Sequence, residues 1–557
     1  MKRKFALILS LFALLSTMLT LRFNGVEVKA PDGIDPSKIY GIEMIWNNSM
    51  AVNDVAVSTD GKYIAAVNET GLYYFEWNIS NPKWWYLGTT FLSVAISGDG
   101  EYVVAGDDSG YIRYFNNSRA TTGERSNSTW TSTSLFGAIE RGTLDMSYSG
   151  DYVVVGGTGI TLYYFAGCTK RSGSDESQTW SKVFGVNDFR AVKISPNGEY
   201  VAAGGSNSTH GFVVFYKDAT TASGSYDPLW VSWSSITAPI IDLAVSDDGY
   251  SVVAVDETIE IPEGPATLYY WADATNLSED PEPTWTRNVA FLCVDMSYNG
   301  DEVIAGTSPA GPCGLHFWAN ARELSGYDQV ENWTRREGEV ILDVAISDTG
   351  GLIAAAAQAP DESNNTAYFF KSDGTMIANF NLPQSSPLLS MSGDGIITAV
   401  AGPGPDSLYV FQTLVDITPP VIENVHQQPA NDSVYPEDEV MVYANVTDDL
   451  SGVKQVILNY TYTNSTGTWN GTVIMENLEG NLYNGTIPAF PYCTNVTYVI
   501  IAEDNLNNII TTEEMGQEYK YHVIPEFSPQ LLLPILVAST LLTMLIRKRK
   551  QIRKTKI

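Results

Sequence analysis

Five aspartates return at nearly the same point of a repeating pattern: Asp54, Asp145, Asp242, Asp295 and Asp343 each flank a short apolar run, and Lys193 interrupts the series. Carboxylates that converge on the axis of a ring would supply the oxygen donors that a hard cation such as calcium takes. Spread around a water-filled channel, they would instead solvate its wall or cap strand ends. Asp448 with Asp449, and Glu503 with Asp504, form two more acidic groups in loop-like stretches further on. They read as a second calcium candidate or as ordinary turn residues.

Other chemistry is sparse. The chain has four histidines, His210, His316, His426 and His522, and neither a Cys/His zinc spacing, a Gly-x-Ser-x-Gly elbow nor a phosphate-cradling glycine loop. No catalytic residue and no organic cofactor is expected. Of the four cysteines, Cys293 and Cys313 flank one repeat and are the candidate disulfide. Two strand spacings separate them by about 10 Å, beyond the reach of a bridge unless the loop 307–313 folds across. Cys168 and Cys493 have no obvious mates and read as buried thiols.

Charge narrows the partners. The formal net charge is −32, although each end of the chain is basic, so the part between is more acidic still. Such a surface repels phosphate backbones, which excludes nucleic acid as an expected partner. Multivalent cations, basic proteins and neutral glycans stay open.

The elements that must hold these residues are strands. A motif such as VAVSTDG at 55–61, VKISPNG at 192–198 or LSMSGDG at 389–395 occurs eight times, ending on Gly61, Gly100, Gly150, Gly198, Gly249, Gly300, Gly350 and Gly395. A period near 50 residues marks a structural repeat. In each copy a short alternating strand meets a Ser-x-Asp/Asn/Ser-Gly type of turn, then an apolar strand, then an aromatic one such as LYYFE from Leu72. Six copies continue with a tryptophan that opens a fourth strand: Trp84, Trp130, Trp180, Trp230, Trp285 and Trp333.

Four antiparallel strands repeated radially make a propeller blade. Through the turn motif and the aromatic third strand, the pattern resembles WD-repeat and YVTN-like β-propellers, though without their Trp-Asp and Gly-His signatures. The resemblance implies the fold and not the scaffolding roles of eukaryotic members. Eight copies leave only seven fourth strands between them, so residues 39–47 are expected to complete the last blade and close an eight-bladed ring over 31–415. Closure by 411–416, or seven blades with one degenerate copy, are the alternatives.

After Asp416-Ile417-Thr418-Pro419-Pro420 the period stops. Strand-like runs at sandwich spacing over 416–523 resemble an Ig/fibronectin-III-like module. Both termini read as membrane-directed. Residues 1–30 have the basic start, apolar run and small-residue site of a signal peptide. Residues 524–557 combine Ile524-Pro525-Glu526-Phe527, an uncharged stretch to Ile546 and seven basic residues. That segment resembles an archaeal Pro-Glu-Phe-type sorting signal; a plain transmembrane anchor with a basic cytoplasmic tail is the other reading.

Sixteen Asn-x-Ser/Thr sequons occur where chance gives about six: Asn47, Asn68, Asn78, Asn116, Asn127, Asn207, Asn276, Asn332, Asn364, Asn431, Asn445, Asn459, Asn464, Asn470, Asn484 and Asn495. A polar, Asn- and Thr-rich β surface would also generate sequons by accident. The expectation is an all-β, membrane-anchored cell-surface glycoprotein that binds an extracellular protein or glycan. A secreted enzyme acting on polysaccharide through the channel carboxylates is the alternative.

Overall fold

The computed structural model describes residues 35–525 and 529–554, apart from short segments at 136, 158–159, 186, 208–209, 258–266, 308–313, 336–337, 360–364, 384–386 and 405–406. The proposed signal peptide, Glu526 and Phe527 of the sorting motif, Asn364 and Cys313 lie outside the described residues. The chain divides after Leu414 into two compact units.

In the first unit each turn motif sits between two strands of a hairpin. Its serine hydroxyl is the organising group: Ser58 Oγ donates to Asp60 Oδ1 at 2.7 Å and accepts from the Tyr63 N–H at 3.0 Å. The same pair of bonds recurs at Ser97, Ser195 and Ser392. All eight closing glycines have φ between +65° and +80°, a conformation other residues resist.

Blade 1 shows the plan: inner strand Asp54–Val57, then Tyr63–Val67, Gly71–Glu76 and outer strand Trp84–Leu87, each antiparallel to the last. The inner strands of blades 2 to 8 are Phe91–Ile96, Leu144–Met146, Asp188–Ile194, Ile240–Val245, Phe291–Met296, Val340–Ile346 and Leu388–Met391. Each packs against the next, and the last packs back on Asp54–Val57, so the eight sheets close a ring.

Blade 8 is assembled from both ends of this unit. Its sheet runs from Leu388–Met391 through Ile397–Ala401 and Leu408–Val415 to Ile39–Asn48. The strand before the first repeat is therefore the outermost strand of the last blade, one residue longer than the sequence pattern suggests. Leu408–Val415, which holds all but the last residue of the alternative closing segment 411–416, is the third strand of that blade.

Apolar burial follows the same logic. Alternate residues of each sheet face the two neighbouring blades, and eight separate cores fill the eight joints. Trp84, Trp130, Trp180 and Trp285 are fully buried in these joints. Each indole N–H reaches a carbonyl of the next blade: Trp84 to Ser118, Trp130 to Cys168, Trp180 to Ala219, Trp230 to Ala274, Trp285 to Ala321 and Trp333 to Ser372.

The second unit holds two sheets over one core. Val421–Gln428, Val440–Thr447, Leu482–Ile487 and Glu476–Glu479 form one; Gly467–Ile474, Val453–Asn464, Asn495–Asp504 and Ile509–Thr511 form the other, with Tyr519–His522 also paired to Asn495–Asp504. In Val440–Thr447 strict alternation puts Val440, Val442, Ala444 and Val446 inside. A helix, Pro529–Lys554, ends the described chain. Among the described residues no helix is long and apolar enough to cross a membrane.

Candidate functional site

The inner strands deliver all five expected aspartates to one cavity of about 490 Å³ in the first unit. Asp54, Asp242 and Asp343 stand four residues before their turn serines; Asp145 and Asp295 stand two before theirs. Two residues along a strand is one full period, so both placements project from the same strand face.

All five carboxylates are used alike. Oδ1 accepts the N–H of the following residue: Val55, Met146, Leu243, Met296 and Val344, at 2.9–3.1 Å. Oδ2 accepts an N–H from the next blade: Val94, Ile194, Val294, Ile346 and Leu389, at 2.9–3.0 Å. Ser390 continues the series from blade 8 to blade 1, its hydroxyl accepting the Val57 N–H at 3.0 Å. These are side-chain staples across the inner ends of neighbouring blades, and they satisfy N–H groups that no sheet partner reaches.

Three cations share the cavity wall: Arg141, Arg190 and Lys193. Arg141 pairs with Asp343 and lies 3.7 Å from Asp54. Arg190 is held by Asp188 and Glu257. Lys193 faces Asp145, Asp242, Asp295 and Asp343.

Burial pushes Asp54 and Asp242 up to about 6 and Asp295 to about 7, against the pull of Arg141 or Lys193 and of the staple N–H groups. Burial also acts against the charges on Arg141 and Lys193, but the surrounding carboxylates outweigh it and both are raised.

The channel thus gathers the expected carboxylates with counter-charges and hydrogen bonds already built in. No three of them bring oxygens within metal-sharing distance of one another; the one described group of carboxylates that does is Asp416, Asp448 and Asp504, each with an oxygen within 4.8 Å of the others. In that group Asp448 Oδ1 accepts the Leu450 and Gly452 N–H groups, and Asp504 Oδ1 those of Leu506 and Asn508. Asp416 accepts from Thr418 and from the Ser451 N–H. Oxygen donors of this kind suit a hard cation, and the turn bonds also account for the cluster without one. Asp449 and Glu503 are outside it; Glu503 binds Lys454 and Gln455.

The candidate disulfide partner Cys313 lies outside the described residues. Cys293 is a free, buried thiol whose Sγ lies 3.7 Å from the Ile341 carbonyl, inside the joint between blades 6 and 7. Its strand turns that side chain towards the neighbouring blade. Burial holds the thiols of Cys293 and Cys168 above the ordinary range, which suits neither to nucleophilic work.

His316 is packed in the third strand of blade 6, as its aromatic surroundings suggest. Its Nδ1 meets Glu331 Oε1 at 2.6 Å, and Arg287 Nε reaches the same oxygen at 2.9 Å. No nucleophile stands on the free Nε2, which is buried without a partner.

Sequence reasoning missed Arg141 and Arg190. The available signal was position: Arg141 falls three residues before the shortest inner strand, where the chain has not yet entered its sheet.

No protein-family model matches the chain, and no curated protein matches it. Among solved structures, the C-terminal WD40 domain of Sif2 is similar over 68% of this chain and 99% of that domain, with 11% identity and a TM-score of 0.49. At that distance the propeller assignment stands on the eight closed sheets themselves.

Proposed function

We propose that this chain is a non-catalytic binding protein of the cell surface, with the propeller as the ligand-presenting part. The observation that carries the reading is the use of the channel carboxylates: each already holds two backbone N–H groups, so the acidic residues that could have served catalysis are structural. A propeller freed of catalytic duty is a platform for protein interaction, its loops free to vary over fixed blades.

The rest of the proposal comes from the ends of the chain and from its sequons. The leader-like 1–30 exports the protein, 524–557 anchors or sorts it at the membrane, and 416–523 serves as an Ig/fibronectin-III-like spacer carrying seven of the sixteen sequons. Two-sheet packing over one core supports that spacer role. Asn47, Asn78, Asn127, Asn276, Asn332, Asn431, Asn470 and Asn495 are exposed and open to glycans. Asn459 has a buried Oδ1 and should be the poorest acceptor.

Cell fractionation followed by binding of the purified chain to envelope fractions, glycan arrays and secreted proteins tests the proposal. Recovery in the cytosol, or no binding by the propeller in any of the three assays, would remove it. The polysaccharide-enzyme alternative has no observation in its favour.

A further inference from the structure

Blade 8 is the weak point of the ring. All eight joints are crossed by continuous chain, but in blade 8 alone the outer strand, Ile39–Asn48, is not joined along the chain to its sheet neighbour Leu408–Val415, so only non-covalent contacts hold the ring shut there. At the rim, the Trp46 indole donates to the Trp77 carbonyl at 2.7 Å. At the channel, Ser390 accepts the Val57 N–H.

Arg141 approaches this joint from the other side of the channel. It lies just ahead of blade 3's inner strand Leu144–Met146, which is only three residues long. The loop is fixed by Gly142, whose carbonyl accepts the Val192 N–H of blade 4 at 2.7 Å. Gly142 has φ +80°, and an added Cβ would stand 3.2 Å from the Arg190 carbonyl, so the bend needs glycine. From that bend the guanidinium pairs with Asp343 of blade 7 and lies 3.7 Å from Asp54 of blade 1. Blade 8 is the blade between those two.

We propose that Arg141 is a transannular clamp: one cation reaching across the channel to hold blades 1 and 7 on either side of the blade that closes the ring. Asp343 makes the clamp continuous with the staples, because its Oδ2 accepts both Arg141 and the Leu389 N–H of blade 8. The ring then has two closures of different chemistry, a hydrogen-bonded apolar one at the rim and an ionic one at the centre.

Hydrogen exchange on the full chain, read segment by segment by mass spectrometry, tests it. Arg141→Met should speed exchange about tenfold in 39–48 and 388–401 and leave 240–256 unchanged. Asp343→Asn, which keeps an acceptor for Leu389 but removes the charge, should give the same pattern, and Arg141→Lys should restore part of the protection. Unchanged exchange at blade 8, or equal acceleration in every blade, overturns the proposal. Should Arg141→Met fail to fold, the Asp343→Asn and Arg141→Lys pair decides by the same pattern.

Discussion

The indole N–H of Trp46 donates to the carbonyl of Trp77 at 2.7 Å, and its ring lies 5.6 Å from Phe75. Trp84 stands in the same relation to Ser118 and Phe115 one joint further on. A residue from before the first repeat thus occupies the tryptophan position of the last blade.

Replacing Trp46 should loosen the ring in two steps. Trp46→Phe keeps most of the apolar contact and loses one hydrogen bond, at about 1 kcal/mol. Trp46→Ala also opens a cavity in a half-buried site, at about 2–3 kcal/mol. Denaturant unfolding of the variants measures both, and equal midpoints for Phe and wild type would show that the indole N–H contributes nothing.

The staple carboxylates predict a local cost. Asp295→Ala leaves the Met296 and Ile346 N–H groups without acceptors, and each unsatisfied buried group costs about 1–3 kcal/mol, less what water in the cavity returns. The variant should unfold earlier than wild type, with the loss of amide protection confined to blades 6 and 7. Exchange measured at Ile346 checks it.

Stability should depend on pH in the direction set by the raised carboxyls. Asp54 and Asp242 titrate at about 6 and Asp295 at about 7 in the folded ring, against 3.8 for the free side chain. Folding therefore takes up protons between these values. The contribution of these groups is fully present below about pH 4 and is lost as the pH rises through 6 to 7. The unfolding midpoint should fall between pH 5 and 8, and Asp295→Asn should flatten that fall. A midpoint that rises over this range would contradict the assignment.

Thiol reactivity should sort by burial. Cys493 is exposed, and Cys168 and Cys293 are buried. A maleimide added to the native protein should label Cys493 within minutes and the other two only after denaturation, as read by peptide mapping. Rapid native labelling of Cys293 would mean that the joint between blades 6 and 7 opens.

Much of this molecule is legible along the chain because its repeats are local. The turn serine, the Asp or Asn two residues on and the closing glycine sit within four residues of one another and fix a hairpin by short-range bonds. That is why eight blades and the strand missing from the last one can be counted without coordinates. The aspartates were visible as a recurring type and destined for one channel, because inner strands line it.

Their use was not visible. Whether a carboxylate on the axis meets a cation, a lysine or a neighbour's backbone N–H depends on which blade follows it and on the spacing around the ring. That spacing is set by the packing of eight apolar joints. Arg141 acts on residues 87 and 202 positions away in the sequence, and Asp416 meets Asp448 and Asp504 only after two sheets have closed over one core. The sequence determined the elements because their bonds are short-range. Tertiary structure alone decided the partners of each charge, because those partners come from different blades and strands brought together by the burial of apolar surface.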